Sequence, residues 1–272
     1  MNVADQLGAL LAEKNLSLVI FAMALVLSRI LPVIILSPFL GGESVPGQVK
    51  IGLGVMLALV LFPAVEGQVT SLPTGALPYI ALMLKEIFIG MSLAFVVSMV
   101  TDAAMIAGQM VDTMSGAAMA SVMVPQIQQS VTLFSSLKVQ LTIVLFLTVN
   151  GHHMVIEALA DSFLMVPLVE FPAFSGGTWA YFELMIRVFG DMVRLGLVLA
   201  APMFMATFLT DLSLGMINKV APQVQVFFIS MSIKPMITVL MAFIALHLIA
   251  DRLVLEFRTM LDVFQRAVRI LS

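Results

Sequence analysis

Apolar blocks recur along the whole chain, separated by short polar or turn-forming stretches. Residues 16–40 form the first, interrupted by Arg29, Pro32 and Pro38. Residues 51–65, 77–100, 131–149, 154–169, 195–209 and 236–250 continue the series. Strand-like alternation is weak, so the pattern predicts an all-α chain. A helix needs about 20 apolar residues to cross a bilayer squarely, and several blocks are shorter. The pattern therefore predicts short, kinked helices, tilted or packed in a larger assembly, rather than a row of lipid-facing spans. Linkers at 41–50, 66–78 and 170–178 are rich in Gly, Pro and Ser and read as turns. None has room for a separate soluble domain, so residues 1–272 read as a single domain. The tail, about 251–272, differs. Leu253, Phe257, Met260, Leu261, Phe264 and Val268 fall at helical spacing, punctuated by Arg252, Arg258, Arg266 and Arg269, which predicts an amphipathic helix. Those arginines favour a cytoplasmic C-terminus.

Composition makes this an integral membrane protein. The chain is 61% hydrophobic and 11% charged, against about 45–50% and about 25% in soluble domains. Its mean hydropathy is +1.12. Asp5, Glu13 and Lys14 precede the first apolar run, which is too long for a cleaved signal, so that run is expected to be retained. Net charge is −3 and there are no cysteines. Nucleic acid is not an expected partner, and thiolate chemistry is excluded.

Charge placed inside apolar blocks is costly and must pair or face water. Arg29, Lys85, Glu86, Asp102, Lys138, Asp191, Arg194, Asp211, Lys219 and Lys234 lie in or beside such blocks. Lys85 can pair with Glu86, and Asp191 with Arg194. Arg29, Lys138 and Lys234 lack local partners and need them from elsewhere in the fold or from other subunits. Residues 211–235 (DLSLGMINKVAPQVQVFFISMSIKP) combine charge with Pro222, Gln223 and Pro235, and predict irregular backbone contacted by protein or water. Residues 102–125 repeat small side chains at i, i+4: Ala103 with Ala107, Ala104 with Gly108, Gly116 with Ala120. This spacing permits close helix approach. Met110, Met114, Met119 and Met123 add adaptable filling, and Ser115-Gly116 loosens the helix. The segment reads as tight helix packing or as a deformable stretch lining a passage.

Catalytic signatures are absent: no P-loop, dinucleotide fingerprint, zincin motif or nucleophile elbow. His152 and His153 are adjacent, so on a helix they diverge by about 100° and should not share a metal. His247 stands alone and reads as structural. No metal, cofactor or catalytic residue is expected. A stand-alone secondary transporter or ion channel is the alternative on residues alone, although such folds usually show two related halves.

Five stretches carry a family resemblance. They are residues 29–63 (Arg29, then the prolines, Val45-Pro46 and Lys50), KEIFIG at 85–90, GQMVDTMSGAAMAS at 108–121, NGHHMVIEALADSFLMVPL at 150–168, and DLSLGMINKVAPQVQVF at 211–227 with Lys234. In this order they resemble the FliR/SctT family of type III export apparatus proteins. The NGHH and SF stretch resembles flagellar members, whereas GAAMAS and SMSIK are closer to injectisome members. The resemblance implies an export-gate subunit in the bacterial inner membrane, within the basal body of a flagellum or injectisome. Its implied partners are FliP/SctR-like and FliQ/SctS-like subunits, FlhB/SctU-like and FlhA/SctV-like export proteins, membrane lipid, and unfolded substrates in transit. It further implies a pore plug at Val111, Asp112, Met114, Gly116, Ala117, Ala118, Met119, Ala120, Ser121, Met123 and Pro125.

Overall fold

A computed structural model describes residues 16–42, 45–65, 67–69, 75–117, 132–174 and 177–272. Among them are eight helices and no strand: α1 Leu16–Leu36, α2 Pro38–Gly41, α3 Gly47–Val65, α4 Ala76–Met114, α5 Leu133–Thr148, α6 Gly151–Met165, α7 Thr178–Val220 and α8 Val226–Leu271. The all-α expectation holds. Helices α1, α3, α4, α7 and the 19 residues Val226–Ile244 of α8 are each long and apolar enough to cross a membrane.

The helices are longer than the apolar blocks. Helices α4, α7 and α8 run 39, 43 and 46 residues. Lys, Glu and Arg are good helix formers, so a charge ends an apolar block without ending the helix. Pro32, Pro63, Pro202 and Pro235 likewise sit inside helices, as membrane helices allow where neighbours satisfy the freed backbone groups. The expected irregularity over 211–235 shrinks to the turn at 221–225. Asp211 and Lys219 are in α7, and Lys234 and Pro235 are in α8.

The chain divides into two compact units. The first gathers the described parts of Met1–Ser98, Asn150–Ile186 and Met260–Ser272. Its core includes Leu25, Ile30, Ile34, Ile89, Leu93, Phe163 and Phe264, all essentially inaccessible. In it α1 packs on α3, and a Cβ on Gly54 would press into the Leu31 side chain. The second unit comprises Met99–Val149 and Arg187–Thr259, again in their described parts. It buries Ala103, Ala107, Phe134, Phe146, Leu199 and Phe257, with the Phe146 and Phe257 rings edge-on at 5.2 Å. The tail is the end of α8 rather than a separate helix. As its spacing predicts, Leu253, Phe257, Met260, Phe264 and Val268 are buried, Leu261 is half-buried, and Arg258, Arg266 and Arg269 face outward.

Candidate functional site: three polar nodes

The first node lies where α6 ends. A helix leaves its last carbonyls without backbone donors, and in an apolar protein something must satisfy them. Three side chains donate to carbonyls at and just beyond this end. Arg29 of α1 donates from Nη1 to Ser162 O at 2.7 Å and from Nη2 to Val166 O at 2.9 Å. Lys85 of α4 donates from Nζ to the carbonyls of Pro167, Leu168 and Glu170 at 3.0, 2.9 and 3.0 Å. The Gln68 amide donates to Phe163 O at 2.9 Å and accepts the Leu168 N–H at 3.0 Å. Glu86 sits between the two cations. Its carboxylate takes Arg29 Nε at 2.5 Å and Nη2 at 2.9 Å, and Lys85 Nζ at 2.6 Å. The Arg29 and Glu86 side chains are 0% exposed and that of Lys85 is 4% exposed, so no water competes. Two cations and one carboxylate leave one net positive charge, set against the negative end of the α6 dipole. The Phe163 ring lies under the Arg29 guanidinium, 4.4 Å from Cζ to centroid, an added cation–π contact. Gly90 makes the approach possible, since a Cβ there would collide with the Arg29 carbonyl oxygen of α1.

The second node joins α4 to α5. Asp112, buried, accepts the Phe134 N–H at Oδ1 (2.9 Å) and the Ser135 N–H at Oδ2 (3.1 Å). It thus caps the first turn of α5 from another helix, where a negative charge is favoured. A Cβ on Gly108 would fall onto the Ser135 backbone, and Ser135 Oγ donates to Met105 O at 3.3 Å. The i, i+4 small residues are therefore a contact surface. Ala103, Ala104 and Ala107 are buried, and Gly196 of α7 would, with a Cβ, press on Ile106 and the Ala103 carbonyl. Lys138 donates to Leu199 O at 2.9 Å, one turn before Pro202, and feels the Asp112 charge. Helix α4 stops at Met114, and Gly116 takes φ +79°, the left-handed conformation that suits glycine after a helix end. Val111 is buried, and Met114, Gly116 and Ala117 are half-buried. Ala118, Met119, Ala120, Ser121, Met123 and Pro125 lie outside the described residues.

The third node ties α7 to α8. Lys234 Nζ lies 2.5 Å from Asp211 Oδ1, with side chains 20% and 42% exposed. A cavity of about 530 Å³ adjoins it, lined by Asp211, Asn218, Gln225, Phe227 and Ser230 among others. Lys219, Pro222 and Gln223 are exposed at the turn rather than buried. Lys219 stands in the last turn of α7, where a cation complements the dipole.

Several expectations change. Arg29, Lys138 and Lys234, expected to find partners elsewhere in the fold or in other subunits, all find them within the chain, at separations of 23 to 137 positions. Asp191 and Arg194 form no ion pair among the described residues, although their spacing allows one; Asp102 is half-buried in α4. The His152 and His153 rings do not diverge but lie with centroids 4.3 Å apart. Among the described residues no cluster of His, Asp and Glu could hold a metal. Nothing in the nodes provides a nucleophile beside a base.

The family model for bacterial export proteins, family 1, matches residues 20–260. The chain belongs to this family. It is the FliR/SctT family of type III export apparatus proteins, and its members are apparatus components, not enzymes. The chain is similar to the flagellar biosynthetic protein FliR of Bacillus subtilis, at 28% identity over 84% of this chain and 87% of the relative. It is 30% identical to its Escherichia coli namesake over 75% and 76%. The Yop proteins translocation protein T of Yersinia pestis is also 30% identical, over 80% and 82%. Flagellar and virulence relatives therefore match equally well.

The five stretches that carry the resemblance meet in the three nodes. Arg29, Lys85-Glu86, Gly90, Ser162-Phe163 and Pro167 build the first, Gly108 and Asp112 the second, and Asp211 with Lys234 the third. Sequence reasoning missed Gln68 and Ser135. Gln68 lies in the 66–78 linker, where nothing set it apart, and nothing singled out Ser135.

Proposed function

We propose that the chain is a core subunit of the export gate, working as one domain over residues 1–272 in the bacterial inner membrane, within the basal body of a flagellum or injectisome. Its companions are FliP/SctR-like and FliQ/SctS-like subunits, with FlhB/SctU-like and FlhA/SctV-like proteins alongside. The assembly encloses the channel through which unfolded proteins leave the cell. The family match across residues 20–260 carries this reading. The surface supports it: the apolar window of Val226–Ile244 is only 6% buried, while the charge beside it, Lys234, is paired within the chain. Co-expression with the FliP-like and FliQ-like proteins, gentle solubilisation and mass spectrometry of the intact complex test it. A hetero-oligomer containing all three is expected. A monodisperse, thermally stable monomer that binds neither protein would overturn it.

Within that gate, residues 111–125 are proposed as the closed-state barrier. Gly116, Ala117, Ala118 and Ala120 permit close backbone approach, and Met114, Met119 and Met123 fill space without a rigid shape. A segment of this kind can seal against ions yet yield to a passing chain, since opening requires a gap of only a few kcal/mol. Deleting residues 115–122 should leave the complex assembled but leaky, read as membrane conductance or small-solute entry. An assembled mutant as tight as wild type would reduce the segment to helix packing.

A further inference from the structure

Lys85 is held in an unusual way for a lysine in an ion pair. Its ammonium has three N–H donors but faces four oxygens: Glu86 Oε1 at 2.6 Å and the carbonyls of Pro167, Leu168 and Glu170 at 2.9 to 3.0 Å. Three hydrogen bonds satisfy three acceptors, whereas a spherical cation serves all four together. The three carbonyls come from one short non-helical run, 167–170, whose backbone turns around the nitrogen, and among the described residues no backbone N–H bonds those oxygens. The Lys85 side chain is 4% exposed, with half-buried Pro167 and exposed Glu170 at the rim of the cradle.

We propose that these oxygens form a monovalent-cation site, filled in this chain by its own ammonium. Part of its frame stands without Lys85. Arg29 holds Ser162 and Val166, Gln68 holds Phe163 and Leu168, and Leu168 is completely buried. Its charge selects the ion. Glu86 is already matched by Arg29, so the cradle without Lys85 is neutral overall and presents mainly carbonyl dipoles. Carbonyl rings of this kind replace the hydration shell of potassium, whereas calcium and magnesium sites are built on carboxylates. Lys85 is thereby a positioning residue: the run 167–170 folds around its charge.

The test is thermal unfolding of the full-length chain, purified in whatever complex it is made, in potassium, ammonium, lithium or choline chloride at equal ionic strength. Lys85→Ala opens the cradle, and Lys85→Met fills it without charge. Wild type should unfold at one temperature in all four salts. Lys85→Ala should unfold lower in lithium and choline and regain more than half of the loss in potassium or ammonium. Lys85→Met should be destabilised equally in all four. The proposal is overturned if Lys85→Ala shows no preference among the salts, if Lys85→Met regains as much as Lys85→Ala, or if Lys85→Ala yields no folded protein even when prepared throughout in potassium. The readout does not depend on which proteins accompany the chain, so it can fail without touching the export reading.

Discussion

Arg29 and Glu86 are worth most as a pair and least when either stands alone. Both are inaccessible, and each satisfies the other with two hydrogen bonds. Removing one partner of a buried pair costs about 3–5 kcal/mol, because the remaining charge keeps its desolvation penalty. Arg29→Met and Glu86→Gln should each destabilise by that order, seen as a fall in unfolding temperature or in protein recovered from membranes. Arg29→Lys should not restore stability. An ammonium lacks the planar fork that reaches Glu86, Ser162 and Val166 at once. If Arg29→Lys behaves as wild type, the fork geometry is irrelevant. Asp112 works differently, as a cap on the backbone of α5. Asp112→Ala should cost about 1–2 kcal/mol. Asp112→Asn, which keeps an acceptor oxygen, should lose less, and equal losses in the two variants would argue that the charge, not the cap, matters.

At the scale of elements, glycines and one ion pair set how helices meet. Gly90 and Gly108 lie where a Cβ would strike the backbone of α1 and α5 respectively. Backbone cannot yield as a flexible side chain does, so Gly90→Ala and Gly108→Ala should each be destabilising despite the better helix propensity of alanine. Gly215, with open space around its Cβ position, is the internal control, and Gly215→Ala should be neutral or stabilising. Unfolding temperatures of the three variants decide it, and a uniform effect would dispose of the close-approach argument. The α7–α8 hairpin is held by Asp211 and Lys234, which are partly exposed. The pair contributes on the order of 1 kcal/mol or less, and we propose that it pins the hairpin rather than carrying protons. Asp211→Asn should lower the yield of assembled complex and leave the pH profile of export in place. Exchanging the charges, Asp211→Lys with Lys234→Asp, should recover yield over either single change. A shifted pH profile in an intact assembly would favour a relay.

For the whole molecule, the need for partners rests on apolar surface rather than on unpaired charge. Phe227, Phe228, Met236, Leu240, Phe243, Ile244 and Leu248 of α8 are all 60% exposed or more, far beyond what a soluble monomer shows in one patch. Expressed alone, the chain should aggregate or be degraded, and co-expression with FliP-like and FliQ-like proteins should rescue it. Polar substitutions in this ribbon, such as Met236→Asp or Phe243→Asp, should weaken co-purification at least tenfold and leave the two polar nodes in the helix core intact. Pulldown yields check this, and unchanged yields would assign the ribbon to lipid.

The sequence by itself determined the membrane class, the all-α architecture, the amphipathic tail and the list of polar residues that had to be satisfied. These follow from composition and from periodicities of a few residues, which neighbours along the chain impose. It also marked Lys85 with Glu86 as a local pair, and left the small residues of 102–125 as either tight helix packing or a deformable stretch. Only the tertiary structure decided who partners whom. Arg29 is 57 positions from Glu86 and 133 from Ser162, and no local pattern encodes such distances. The same holds for helix length. The apolar blocks stop at charges in α7 and α8, yet the helices run on through them, because charged residues such as Lys, Glu and Arg are good helix formers. It holds for the end of α6 as well, where Gln68 satisfies a last-turn carbonyl and Lys85 those of the non-helical run that follows. The sequence states the need; the packing of distant helices supplies the donor.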